Sequence, residues 1–315
     1  AAIDPPLNDI TRTLLFFQAT PTGTDKKAAE DNVTCRLNAG PPATVVCERV
    51  GSAAAVEIEW QTVSFAYPYS GGGVTVEHLT GGCTAAAMNT MPINTPVANV
   101  PRANRFVLFS TQSAGNDNDG DDFFQAQLTT ATNLRILQSS GSSTCTQTMA
   151  FTAQVVSWAG ATVNRATQGG GSGASFTDNQ TTVAGSPTFL LYSSRMTADV
   201  GGANIPFICR RRLRGDITNA TTLTFDRGCT GADIQDISWE HVRLPAGATV
   251  QKLAGAMADT VGTNAVTFAA VDLTRSVAFI GGQGQGGSAS GRTDYAGADQ
   301  VGSALARAVL TSGTE

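Results

Sequence analysis

The residues best suited to chemistry in this 315-residue chain are few and scattered. Asp117-Asn118-Asp119-Gly120-Asp121-Asp122 places oxygen-bearing side chains in alternation, and hard cations such as calcium take six to eight oxygens. The run is not an EF-hand, because its glycine comes fourth instead of sixth and Leu128 stands where the bidentate glutamate belongs. Asp117, Asp119 and Asp121 are therefore candidate calcium ligands, with a solvated acidic turn as the alternative reading, and no other cofactor is expected. Only two histidines occur, His78 and His241, too few for a multi-histidine centre, and both read as ordinary surface or half-buried side chains. No G-x-S-x-G elbow, Walker loop or H-E-x-x-H run is present. The glycine-rich Gly281-Gly282-Gln283-Gly284 follows a strand-like run without opening a helix, so turn geometry explains it better than a phosphate cradle.

The elements that would have to position such groups are copies of one another. Gly73-Val74-Thr75-Val76, Gly160-Ala161-Thr162-Val163 and Gly247-Ala248-Thr249-Val250 recur 87 residues apart. A strand-like run precedes each: Val56 to Phe65, Phe151 to Trp158 and Ile234 to Val242. Run and glycine motif together read as a hairpin opening each unit. Trp60 then aligns with Trp239, and Phe65 with Trp158, which marks them as core positions. A second recurrence, Arg105 to Phe109, Thr188 to Tyr192 and Arg275 to Phe279, has a fourth copy without a hairpin before it, Arg12-Thr13-Leu14-Leu15-Phe16.

The chain thus holds about 3.5 repeats of roughly 87 residues. Short alternating strands between turn-rich stretches, with no sustained 3.6-residue apolar period, predict an all-β protein of tandem immunoglobulin-like β-sandwich units. With boundaries placed before the hairpins, the units span 53–142, 143–231 and 232–315, and 1–52 is a half-unit or assembly segment. Boundaries before the second half would move the orphan to the C-terminus.

Six cysteines occur without a C-x-x-C pair, which favours disulfides over zinc or redox work, with buried free thiols as the alternative. Overlaying the repeats puts Cys35 and Cys209 in matching places, with Cys47 and Cys229 on or just beyond the following strand. The expected pairs are Cys35–Cys47, Cys209–Cys229 and, by elimination, Cys83–Cys145. Disulfides imply an oxidising compartment.

A formal net charge of −5 and only three lysines argue against binding nucleic acid, which needs clustered cations. The basic cluster Arg210-Arg211-Arg212 with Arg214 reads as a solvated edge strand whose charges discourage aggregation, with a nucleic-acid or anionic-glycan contact as the alternative. No apolar run reaches the ~18 residues of a membrane span. The opening Ala-Ala-Ile-Asp fits a mature N-terminus left by signal-peptide removal, so a secreted, extracellular or cell-surface protein is expected. Tyr67-Pro68-Tyr69 is the candidate exposed contact for a glycan or protein partner.

The segment Ile58-Glu59-Trp60-Gln61-Thr62-Val63-Ser64-Phe65, followed by Gly73-Val74-Thr75-Val76, resembles a tandem β-repeat of structural and surface proteins from phages and bacteria. The resemblance runs through Arg105-Phe106-Val107-Leu108-Phe109 and recurs over nearly the whole chain. It departs where Ala153 replaces the tryptophan and in the weak closing strands of the last unit. It implies no activity and supplies no catalytic residues.

The expectation is a non-enzymatic, disulfide-stapled subunit of an extracellular filament or surface appendage, joined head-to-tail to copies of itself. A phage tail or capsid-decoration protein and a glycan-binding adhesin are the alternatives. Unpaired strand edges of a half-unit invite a donor strand. Ile3 and Leu7 near the N-terminus, or the run from Leu305 to Leu310, are the candidate donors.

Overall fold

The computed structural model describes residues 9–21, 32–40, 43–52, 55–65, 73–84, 92–115, 122–138, 144–145, 147–180, 187–197, 208–228, 230–231, 234–255, 264–280 and 307–314. The protein is all-β, built of small antiparallel sheets that face one another in sandwich blocks. The first block contains β1 (Thr13–Pro21), β2 (Thr34–Asn38), β3 (Thr44–Glu48) and β4 (Val56–Ser64). The second contains β5 (Val74–Cys83), β6 (Ile93–Pro96), β7 (Arg105–Ser113), β8 (Gln125–Thr130), β9 (Asn133–Leu137) and β10 (Met149–Trp158). The third repeats it with β11 (Thr162–Gly171), β12 (Ser175–Asn179), β13 (Thr188–Met196), β14 (Arg214–Asn219), β15 (Thr222–Asp226) and β16 (Ile234–Arg243).

In both complete blocks the first, sixth and third strands make an inner sheet, β5-β10-β7 and β11-β16-β13. The second, fifth and fourth make an outer sheet, β6-β9-β8 and β12-β15-β14. The first block begins at its third strand. It has only β1-β4 inside and β2-β3 outside, so the strands equivalent to β5 and β6 are missing from it among the described residues.

The hairpin expected at each glycine motif does not form. β4 and β5 lie in different sheets, as do β10 and β11. The physical reason is that β10 and β16 are central strands whose two edges are already taken, by β5 and β7 and by β11 and β13. The motif is instead the turn that carries the chain from one block to the next. Gly160 and Gly247 take φ of 83° and 96°, which a side chain would disfavour, and Ala161 N–H closes the first of these turns onto Trp158 O at 3.0 Å. Strand pairing groups residues 13–64, 74–158 and 162–243. Divisions at 53, 143 and 232 would separate β4, β10 and β16 from their own partners.

The repeat also shifts by one residue in the first block. Asp9 and Asp272 each accept from the backbone N–H two residues on, Thr11 at 2.8 Å and Thr274 at 2.9 Å, and so open matching 3-10 turns, Ile10–Arg12 and Leu273–Arg275. Arg102–Asn104 is the turn before β7. Thr13, not Arg12, therefore matches Arg105, and Ser276–Ile280 is the last copy of the third strand.

Each block has its own core. Leu15, Cys35, Leu37 and Val45 fill the first, with Trp60 beside them. Phe151, Val155, Leu134 and Ile136 fill the second, and Trp239, Ile237, Leu223 and Phe225 the third. Strand alternation sends the other face outward, yet that face is also buried. Leu14, Val74, Val76, Phe106, Val156, Trp158, Val163 and Val242 form one further cluster drawn from all three inner sheets.

Two disulfides staple the blocks, Cys35–Cys47 directly across β2 and β3 and Cys83–Cys145 between the end of β5 and the approach to β10. Cys229 and the side chain of Cys209 lie outside the described residues. Of the basic cluster only Arg214 lies on an edge strand, β14. Ile208–Arg211 is one helical turn, Arg211 is buried, and β14 starts only at Arg214. The crossing into β14 needs a corner there, and Arg212 uses it to sit over the Phe123 ring of the second block.

A two-stranded sheet is marginal by itself, so the β2-β3 pair leans on its disulfide. Replacing Cys35 and Cys47 by serine should cost about 3 kcal/mol, read as a lower denaturant midpoint. An unchanged midpoint would show the staple to be dispensable.

Candidate functional site: the seam between blocks

The groups that could do chemistry converge where one block's inner sheet lies against the next. β1 and β7 are edge strands, each paired on one side only. Their outward N–H and C=O groups face a neighbouring block instead of water, and buried peptide groups need partners.

Gln154 of β10 supplies them. A primary amide carries one acceptor and one donor end, as a peptide group does. Leu15 N–H donates to Gln154 Oε1 at 2.7 Å, and Gln154 Nε2 donates to Leu15 O at 2.6 Å. The same register position is Glu240 in β16 and Gln61 in β4. Gln61, Gln154 and Glu240 stand opposite Phe16, Leu108 and Leu191, the fourth residues of their neighbouring third strands. Val107 N–H donates to Glu240 Oε2 at 2.7 Å, and Ala278 N–H donates to Gln61 Oε1 at 3.2 Å. Leu15, Val107 and Ala278 are themselves matching residues. One contact is thus made three times, from third block to second, second to first, and first to C-terminal segment.

A second tie accompanies it. His78 of β5 lies opposite Gln154, and Arg165 of β11 opposite Glu240. His78 Nε2 lies 2.9 Å from Ile10 O and 3.1 Å from Thr13 O. Carbonyls only accept, so Nε2 carries the proton. Arg165 reaches the equivalent carbonyls, Arg102 O through Nη1 at 2.8 Å and Arg105 O through Nη2. Its Nε also donates to Glu240 Oε1 at 3.1 Å, in an ion pair with side chains only 13% and 11% exposed.

Burial pushes the Glu240 carboxyl above its ordinary value, against the pull of Arg165, the Val107 amide and Arg102. Burial pushes His78 down, while its two carbonyl partners pull it back. His241, on the core side of β16, is lowered by burial, with Nδ1 2.8 Å from Gln180 Oε1.

Aromatic rings close the seam. Phe16 stacks on Phe279 at 5.5 Å, Phe279 meets Phe189 at 6.1 Å, and Phe189 meets Phe106 at 5.6 Å. A cavity of about 270 Å³ remains there, lined in part by Gln18, Gln154, Ser193 and Glu240. Gln18 ties the C-terminal segment down: its Nε2 donates to Ala278 O and Ala308 O, and its Oε1 accepts from the N–H groups of Ile280 and Ala308.

The residues singled out from sequence fall mostly elsewhere. Asp117, Asp119, Asp121, Ile3, Leu7, Leu305, Tyr67, Tyr69 and the run 281–287 lie outside the described residues. Leu310 is half-buried in the segment held by Gln18. Asp122 is buried and accepts from Ser113 Oγ at 2.5 Å and Gln147 Nε2 at 2.6 Å. Gln61, Gln154, Glu240 and Arg165 were not singled out. Their signal was available in the Trp60 to Trp239 alignment, which puts Gln61 and Glu240 in one column. Compared with known proteins, the chain matches no family model, no curated protein and no solved structure.

Gln154→Leu keeps similar bulk but orphans Leu15 N–H and C=O. It should cost about 1–3 kcal/mol for each group left unpaired, measured by denaturant unfolding. Glu240 gives a pH signature. Because its carboxyl is raised in the folded chain, the fold keeps a proton that the unfolded chain releases above about 4.5. Its contribution is full below that pH and is lost as pH rises through the raised value. Glu240→Gln should flatten that downward slope in a stability-against-pH series, and an unaltered slope would remove Glu240 as its source.

Proposed function

We propose that this chain is a non-catalytic structural subunit of an extracellular filament or surface appendage, polymerising through strand and sandwich contacts between copies. The observation that carries this reading is the unfinished first block. Its central strand β4 pairs with β1 alone, where the equivalent β10 and β16 are paired on both edges among the described residues. An open edge of nine residues is a template for another strand.

The seam supports an architectural role in a second way. Its ionisable groups, Glu240, Arg165 and His78, are engaged in bonds that hold one block to another. A head-to-tail contact that does not close on itself produces a fibre. Two disulfides fit an oxidising compartment outside the cytosol, and among the described residues no helix is long and apolar enough to cross a membrane.

Electron microscopy of the purified native protein, with sedimentation over a concentration series, tests the reading. Filaments or concentration-dependent polymers are expected. Monomers at every concentration would reject it.

A further inference from the structure

We propose that residues 248–255 of one copy add to the free edge of β4 in a second copy, as the first strand that block lacks. This rests on the filament reading and names the two surfaces that meet.

Among the described residues the first block has no first strand, and a third copy of that strand's sequence stands outside any sheet. Gly247-Ala248-Thr249-Val250 repeats the start of β5 and of β11. β5 pairs with β10, and β11 pairs with β16. The third copy has no sheet partner among the described residues. Residues 251–255 are exposed, and Leu253 leaves half of its surface in water. The segment is tied to its own chain by Gln251, whose side chain exchanges two bonds of 2.7 Å with the backbone of Ala269, and by Lys252. Lys252 Nζ bonds the exposed Asp216 at 2.7 Å and Ile217 O at 2.6 Å, and exposed ion pairs contribute little.

The register is already written twice. Thr75 pairs with Ser157, Val76 with Val156, His78 with Gln154 and Leu79 with Ala153. Transferred to β4, Thr249 falls opposite Ser64, Val250 opposite Val63, Lys252 opposite Gln61 and Leu253 opposite Trp60. Each side chain then meets a suitable surface. Val250 joins Val63 on the seam face, where Val76 and Val163 are buried. Leu253 covers Trp60 over the first core, as Leu79 packs on the second.

Lys252 is the most telling residue. It occupies the position of His78 and Arg165, the two side chains that reach a pair of carbonyls on the neighbouring 3-10 turn and third strand. The acceptor's own C-terminal segment is already docked through Ala278 and Gln61. That presents Leu273 O and Ser276 O where Ile10 O and Thr13 O stand in the other seam. Lys252 also falls diagonally across from Glu59, an opposite charge on the same face. All three copies of this position, His78, Arg165 and Lys252, carry nitrogen donors.

Two differently tagged variants, Ser64→Cys and Thr249→Cys, are mixed and oxidised. Covalent dimers carrying both tags are expected, and the double variant should give covalent ladders. Gln251→Pro, which removes a ladder N–H from an exposed segment, should lower polymer content at least tenfold with an unchanged circular dichroism spectrum. Closure of the double variant within one chain would overturn the proposal, as would full-length polymers from Gln251→Pro. Polymers without the cross-link would refute this donor alone. Absence of polymers in the wild-type protein would refute the filament reading and, with it, the donor.

Discussion

The structure depends on one constraint: β1 and β7, each at the rim of an inner sheet, are pressed against a neighbouring sheet, so their outward backbone groups are dry and must be satisfied without a further strand. Side chains on the neighbour's central strand do this. Gln154 reproduces both halves of a peptide's hydrogen bonding at Leu15. Once that bond is made, the apolar faces around it can close, and Leu14, Val156, Phe106 and Val242 become one core shared by three blocks. Each large aliphatic or aromatic side chain so buried contributes roughly 1.5–3 kcal/mol. The polar bond contributes less, but without it that burial would strand two peptide groups.

The three versions of the contact differ in how charge is handled. Gln154 is neutral and complete. Glu240 is acceptor-only, so it cannot serve Val107 O, and its second oxygen takes Arg165 instead. Arg165 in turn serves two carbonyls of the second block. Replacing one of a buried charged pair is costly because the survivor stays desolvated. Each seam thus carries a titratable side chain, Glu240 between second and third blocks and His78 between first and second.

The ends of the chain follow from the same economy of parts. A block with third to sixth strands can build a core and a staple, while among the described residues its central strand pairs along one edge. The last segment repeats the 3-10 turn, here opened by Asp272, and the residues after it lie against β1 and β4 through Gln18 and Gln61. The first block thus meets its own chain through β1 and leaves, among the described residues, one edge of β4 without a paired strand.

Much of this was written in the residues. Alternation and turn spacing gave all-β sandwiches, the 87-residue interval gave the copies, and the overlay of Cys35 and Cys47 across two short strands named a disulfide that lies there. The same periodicity misplaced the hairpins. Two adjacent runs around a glycine look alike whether they pair with each other or part, since pairing depends on which edges are free, and β10 has none to offer β11. Matching letters align Arg12 with Arg105, whereas the capped turns at Asp9 and Asp272 set the true register. Sequence by itself determined the local elements and their repetition, because strand alternation and glycine turns are short-range properties of the chain. Which strands meet, and that Gln154 and Glu240 grasp the backbone of another block, was decided only by tertiary structure, because a buried edge finds its partner among residues more than a hundred positions away.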